Sequence, residues 1–376
     1  MDDMRKRTWA EISLANIRHN YNTIRSSLPE GCRFMGVVKA DAYGHGAVQV
    51  SRLLQDAGAD YLAVAGVDEA IELRQNGIYL PILVLGHTPA EFVETLVSND
   101  LTQAVTCLAK AEEYSAEARR IGKVLRVHMK IDTGMSRLGF LCAGSHFDEG
   151  VEHVVRSCRM DGLDCEGIFT HFSVSDERDP ASVEYTRAQY DLFTRLIDAV
   201  GEQGISFKLR HCANSGAVVS YPEYAMDMVR PGLLLYGYGD ADGKLGLRPC
   251  MRLVTRITTI KHYEAGTSIS YGRCFTTERP TRMAVLGIGY ADGLPRLCSN
   301  KCSFAVASSF APQRGRICMD MCMADVSAIP DAAVDSEVEI FGERNDISAL
   351  CEAAQTIPYE LLCAVSKRVP RIYRAN

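Results

Sequence analysis

Apolar residues recur at steps of three and four from Leu14 through Ile17, Tyr21 and Ile24 to Leu28. That spacing gives an α-helix one apolar stripe, with Ser13 as its cap and Pro29 just beyond its end. A different pattern follows. Short apolar runs stand at 34–38, 61–65, 82–85, 103–105, 124–131, 166–170, 207–210 and 226–229, and each reads as a strand. Most of the intervals are helical in spacing. One helix over 46–57 stops near Gly58, and another opens at Asp68 and closes at Gly77.

About eight strand-and-helix units before residue 240 are what a (β/α)8 barrel requires. A doubly wound sheet competes, but it calls for a glycine-rich phosphate turn after the first strand and an acidic residue about twenty positions on. The first turn matches that poorly. After Leu233–Gly239 the pattern changes: Gly and Asp punctuate 239–246, and β-branched segments such as 253–260 and 283–288 alternate with turn clusters. The fold class expected is α/β, a TIM-type barrel over 1–243 followed by a mainly β domain over 244–376.

Bulk composition narrows the function classes. The 376 residues are 47% hydrophobic and 23% charged, ample for two domains with a large core. A net charge of −6 and the lack of a Lys/Arg-rich run argue against a nucleic-acid partner. No apolar membrane span or secretory leader is evident, so a cytoplasmic location is expected. The 14 cysteines are scattered without paired close spacing, which favours free thiols. Cys318 and Cys322 come nearest to metal-ligand spacing but lack companion ligands, and no metal is expected.

The residues with most chemistry lie in VVKADAYGHGA, at 37–47. Lys39 closes an apolar strand ahead of a glycine-flanked turn. At the carboxyl end of a barrel strand, an ammonium in partly apolar surroundings has a lowered pKa and can form a Schiff base. Read alone, such a lysine is far more often a surface residue ending a strand. In VLRVHMKIDTGMSRLGF, Lys130 faces a barrel interior where an unpaired ammonium is costly, and Arg137 follows across a glycine turn. His171 ends a strand in IFTHFSVSDE, as a satisfied core histidine also could. In HCANSGAVV, Asn214 and Ser215 open a helix whose amides could face an anion or simply be capped. Arg230 ends a strand before Pro231 and Gly232, and Tyr271 in SISYGRCF sits where a sheet-surface tyrosine would.

VVKADAYGHGA, preceded by TWAEISLANIRHNY, resembles the N-terminal signature of bacterial alanine racemases, and GYADGLPR and GRICMDMC resemble their later motifs. The resemblance covers nearly the whole chain. It implies a homodimeric isomerase that uses pyridoxal 5'-phosphate (PLP) to interconvert L- and D-alanine, supplying D-alanine for cell-wall peptidoglycan. In it Lys39 carries the cofactor and is one catalytic base. Tyr271, from the partner subunit, is the other, because moving a proton between the two faces of a planar carbon calls for two groups. The phosphate falls to Tyr43, Asn214, Ser215, Gly232, Leu233 and Tyr359, and Arg230 donates to the pyridine nitrogen.

His171 would bridge Arg230 and the catalytic tyrosine. Lys130 would be carbamylated and hold Arg137 toward the substrate carboxylate, a task for its planar fork. Tyr290 and Tyr359 would narrow the approach, Met319 and Asp320 would reach the substrate from the neighbouring subunit, and Asp176, Arg296 and Arg316 would form an outer gate. Ser173, Val174 and Ser175 depart from the small residues expected beside that gate. Asp292 reads as a solvated turn residue. Three alternatives remain open: a serine or broad-specificity racemase, a non-catalytic PLP carrier, and a barrel decarboxylase. The carrier lacks a second domain and the decarboxylase is expected to use an acidic residue where this chain has Arg230.

Overall fold

A computed structural model describes residues 7–240 and 242–375. Among them, eight parallel strands follow the order Met228–Val229, Arg33–Val37, Tyr61–Val64, Ile82–Val84, Leu101–Val105, Leu125–Asp132, Leu163–Phe169 and Leu209–His211. Nearly every residue of the first several is buried, as strands covered on both faces must be. Between the outer two strands, Asp227 N–H donates to Arg210 O and Arg230 N–H to Ala213 O, 3.1 and 2.9 Å, so the barrel is nearly closed. All eight runs anticipated from hydropathy are present.

The second domain is mainly β. Its spine is the long strand Met251–Tyr263, which pairs antiparallel with Glu337–Phe341 over one half and with Thr281–Leu286 over the other. The segment Thr8–Ser13, not anticipated as a strand, inserts here between Met251–Tyr263 and Arg371–Arg374. Five of its six residues are buried, and Trp9 donates its indole N–H to Glu11 at 2.9 Å. Thr8–Ser13 therefore lies in the second sheet beside Arg371–Arg374, and the chain passes from it into the barrel through Leu14–Ser27. Ser13 caps that helix by accepting from Asn16 N–H at 3.1 Å.

The helix Pro358–Ala364 of the second domain lies over the barrel mouth. A side chain at Gly44 would come within 2.4 Å of Leu362 O, and Arg371 Nε donates to Gly44 O at 3.0 Å. The mouth is thus walled by both domains. Among the described residues no helix is long and apolar enough to cross a membrane.

Candidate active site

At the mouth the chain turns left-handed directly after Lys39. Ala40, Asp41, Ala42 and Tyr43 all have φ between 50 and 53°. Each such L-residue costs roughly 1–2 kcal/mol, so the surroundings must hold the turn. They do so with hydrogen bonds from Ala42 N to Val38 O, Gly44 N to Ala40 O and Gly46 N to Asp41 O, and from Ala40 N to the Glu69 carboxylate at 2.7 Å. The buried His45 ring donates from Nδ1 to Ala42 O and Tyr43 O, 3.0 and 2.9 Å. Burial drives its pKa down to about 4, so it stays neutral in that role.

This turn aims two side chains. Lys39 is half-buried and makes no ion pair among the described residues. Its pKa is lowered by burial first, then by the Arg137 charge, with Glu69 opposing. Tyr43 points inward, edge-on to Tyr236 at 5.0 Å and to Tyr359 at 5.7 Å. Its hydroxyl has no hydrogen-bond partner among the described residues, although the residue is only 7% exposed.

Lys130 lies deeper, 7% exposed, donating to Ile131 O at 3.0 Å. Burial and the charges of Arg230 and Arg137 bring its pKa to about 7, with Asp132 opposing. Between pH 7 and its usual 10.5 the unfolded chain holds a proton that the folded chain has released. Unfolding free energy should therefore rise with pH across that window in bicarbonate-free buffer, and Lys130→Met should flatten the rise. Urea titrations at several pH values read this directly; an unchanged slope in the variant contradicts it.

Arg230 is 4% exposed. Its guanidinium donates to Thr170 O (2.8 Å), Cys212 O (3.0 Å) and His211 Nδ1 (2.9 Å), with His171 Nδ1 at 3.4 Å. Among the described residues no carboxylate touches it. Burial lowers its pKa to about 10, still charged at neutral pH. His171 is pushed well below the usual range by burial and then by Arg230. Its Nδ1 accepts from the guanidinium, which leaves Nε2–H to donate.

Next to these cations is a cluster of hydroxyls and amides. Ser215 Oγ accepts from Gly232 N–H at 2.9 Å and Leu234 N–H at 3.4 Å, leaving its own proton to give. A Cβ at Gly232 would come within 2.7 Å of Tyr43 Oη. Asn214 caps the helix Ser215–Ser220 through Ala217 N–H, 3.0 Å, and accepts from Ser175 Oγ at 2.7 Å. Its amide shapes the turn and is already in use. The Tyr43 hydroxyl and the Ser215 hydroxyl proton, both without an acceptor among the described residues, and the nearby cations suit a phosphate monoester, and the neighbouring primary amine with its lowered pKa suits an aldehyde.

The remaining candidates divide between the domains. Asp176 is exposed on the barrel side near Tyr359, whose pKa is raised to about 12 by burial and then by that carboxylate. Arg137 is exposed on the same side. Tyr271 is 71% exposed on the second domain, in a short turn tied to Arg316 O through Ser270 Oγ at 2.8 Å. Tyr290 N–H donates to Cys318 O and Ala291 N–H to Met319 O, so the Tyr290 and Met319 loops are tied together. Tyr271, Tyr290, Leu297, Met319 and Met321 are all large and exposed. Among the described residues Asp176 pairs with neither Arg296 nor Arg316. Asp320 pairs with Arg368 at 2.8 Å.

Asp292 corrects an expectation. It is not solvated but fully buried, accepting from Gly289 N–H at 2.9 Å, from Arg368 at 2.8 Å and from Arg7. A buried carboxylate persists only when so paired, and this one fixes the turn that carries Tyr290. Arg7 and Arg368 lie 285 and 76 residues away, which is why the local motif concealed it.

The barrel-plus-sheet arrangement has known counterparts. Residues 12–240 match the family described as alanine racemase, N-terminal domain, and residues 250–373 match alanine racemase, C-terminal domain. The chain belongs to the alanine racemase family. It is 42% identical to alanine racemase 2 of Caldanaerobacter subterraneus subsp. tengcongensis, over 99% of this chain and 96% of the relative. Identity to the alanine racemase of Desulfovibrio desulfuricans is 44%, over 97% of each. Among solved structures, the Streptomyces coelicolor A3(2) alanine racemase superposes with a TM-score of 0.92 at 32% identity, covering 100% of both chains. The Clostridium difficile 630 enzyme in complex with cycloserine gives 0.89 at 40%, covering 97% of this chain and 95% of that one. Membership in the family agrees with the barrel, the second domain and the motif around Lys39 read from sequence.

Proposed function

We propose that this protein is a PLP-dependent racemase that interconverts L- and D-alanine as a homodimer, each active site drawing on both chains. The observation that carries the reading is a buried arginine, Arg230, whose guanidinium touches no carboxylate among the described residues, at the end of the strand next to the one that leads to Lys39, an amine of lowered pKa. Bound PLP supplies an electron sink that makes the substrate α-proton removable. Arg230 would donate a hydrogen bond to the ring nitrogen without surrendering its proton, which would keep that sink weak and disfavour side reactions such as transamination.

Lys39 would hold the cofactor covalently, give it up to the incoming amine, and exchange the α-proton on the face used for the D isomer. Tyr271, exposed in one chain, would enter the mouth of the partner and serve the L isomer, with His171 Nε2–H orienting its phenol. Tyr43, Ser215, Tyr359 and the Gly232 and Leu233 amides would hold the phosphate, and Asn214 would shape their turn. Arg137 would take the substrate carboxylate. Lys130, with a pKa of about 7, has a populated neutral amine. That amine can add carbon dioxide, forming a C–N bond and releasing one proton, and the resulting carbamate would neutralise the cation cluster and anchor Arg137. Met319 and Asp320 would line the substrate from the partner side, while Arg296 and Arg316, forming an outer gate with Asp176, would draw in the anionic carboxylate. D-alanine for peptidoglycan, made in the cytoplasm, is the role that fits.

The test is α-hydrogen exchange. Wild type in deuterium oxide should incorporate deuterium at the alanine α-carbon and yield both enantiomers from either one. Cofactor retention without exchange would instead mark a carrier, and carbon dioxide release a decarboxylase. Tyr359, edge-on to Tyr43, would narrow the mouth. Tyr359→Ala should improve kcat/KM for serine relative to alanine by roughly 10-fold, the scale of one side-chain group in a pocket. Chiral chromatography of both reactions measures it, and an unchanged ratio would remove Tyr359 from specificity.

A further inference from the structure

Below Arg230 a chain of buried polar groups runs down the barrel axis. Arg230 Nη1 meets His211 Nδ1 at 2.9 Å, His211 Nε2 meets His128 Nδ1 at 2.9 Å, and His128 Nε2 meets Glu166 Oε2 at 3.4 Å. The Tyr61 hydroxyl donates to the same carboxylate oxygen at 3.1 Å. Both imidazoles are fully buried, whereas the Glu166 side chain keeps 18% exposure and Arg126 lies 4.0 Å away. Phe169 stacks on His211 at 4.8 Å, its plane within 3° of parallel.

The protons in this chain have only one arrangement. A guanidinium donates and never accepts, so His211 Nδ1 must be bare and its proton must sit on Nε2. His128 Nδ1 is then the acceptor, its proton also sits on Nε2, and the last group must accept. Burial pushes both imidazoles down in pKa, so neither is an imidazolium. Only an acceptor at position 166 completes the sequence.

Two backbone features exist to seat it. Between Leu125–Asp132 and Leu163–Phe169 the register shifts, with Val127 opposite Cys165 and His128 opposite Gly167, so Glu166 is an extra, bulged residue. A bulge re-aims a side chain, and here the carboxylate reaches the His128 ring. Gly167 supplies the room: a Cβ there would lie 2.7 Å from three atoms of that ring. A strand-interior glycine and a bulge each weaken a strand, so their joint presence needs a cause, and the seated imidazole is one.

We propose that Glu166 is a positioning residue for Arg230, acting through His128 and His211 from below the active site. This rests on the reading of Arg230 as the group that faces the cofactor ring. The carboxylate strengthens each acceptor above it in turn, fixing the guanidinium's orientation and moderating how strongly it donates upward.

Selective ¹⁵N-histidine NMR on the cofactor-free chain reads the arrangement, and steady-state kinetics on the loaded enzyme reads its effect. Wild type should show His128 and His211 protonated at Nε2 alone; either ring protonated at Nδ1 overturns the proposal. Glu166→Gln keeps an acceptor oxygen and should preserve both tautomers, with kcat reduced by no more than about 3-fold. Glu166→Lys sets a donor against a donor. It should disrupt the tautomer pattern and lower kcat by about 10-fold or more with KM for alanine nearly unchanged. Gly167→Ala, which displaces the ring without altering charge, should reproduce both signatures and serves if the lysine variant does not fold. Altered tautomers with wild-type kcat would overturn the positioning role. A wild-type protein that fails to racemise alanine would sink the proposed function while leaving the tautomer result standing.

Discussion

A Lys39→Ala chain should racemise alanine about 10⁴-fold more slowly than wild type or worse, because one side chain both tethers the cofactor and exchanges a proton. Among the described residues no substitute is at hand. Lys130 is the other amine at this site, and it is buried against Ile131 O rather than presented at the mouth. Borohydride treatment of the loaded protein should attach a pyridoxyl group to the 37–47 peptide in wild type and to no peptide in the variant. Added methylamine should restore part of the rate, since a small free amine can stand in for the missing one. A variant that retains more than about a tenth of wild-type turnover would show that Lys39 is not the base.

Tyr271→Phe should cost roughly 10²- to 10⁴-fold, the range for one positioned acid–base group. The more telling experiment mixes the two inactive variants. If Tyr271 works in the partner's site, a dimer of one Lys39→Ala chain and one Tyr271→Phe chain holds one doubly defective site and one intact site. Random reassociation makes about half the dimers mixed, so about a quarter of wild-type activity should return. A tyrosine acting within its own chain predicts no recovery. The 71% exposure of Tyr271 in a single chain is what makes the distinction sharp. Its turn is braced against Arg316, so the phenol is displayed by a fixed loop rather than a loose one.

The barrel was legible because its strands are buried on both faces. Runs such as Ile82–Val84 and Leu101–Val105 stand out as apolar whatever they pair with. The motif around Lys39 was legible because glycines bracket it. What hydropathy could not reveal depends on partners distant in sequence. Thr8–Ser13 is a strand only because residues near 250 and 371 flank it on both sides. Asp292 looked solvated because the arginines that neutralise it come from opposite ends of the chain. The left-handed path through Ala40–Tyr43 runs against local preference, since alanine and aspartate both favour right-handed helix over this geometry. His128 and Glu166 drew no attention because a bulge, not alternation, turns the carboxylate toward the ring.

That left-handed turn makes the reactive amine depend on the second domain. Arg371 Nε donates to Gly44 O, and Leu362 O packs close against Gly44, so the loop that presents Lys39 is buttressed from outside the barrel. Eight well-formed strands alone would leave that loop without this support, so the nucleophile reaches its working geometry through a contact between domains and not through the barrel by itself.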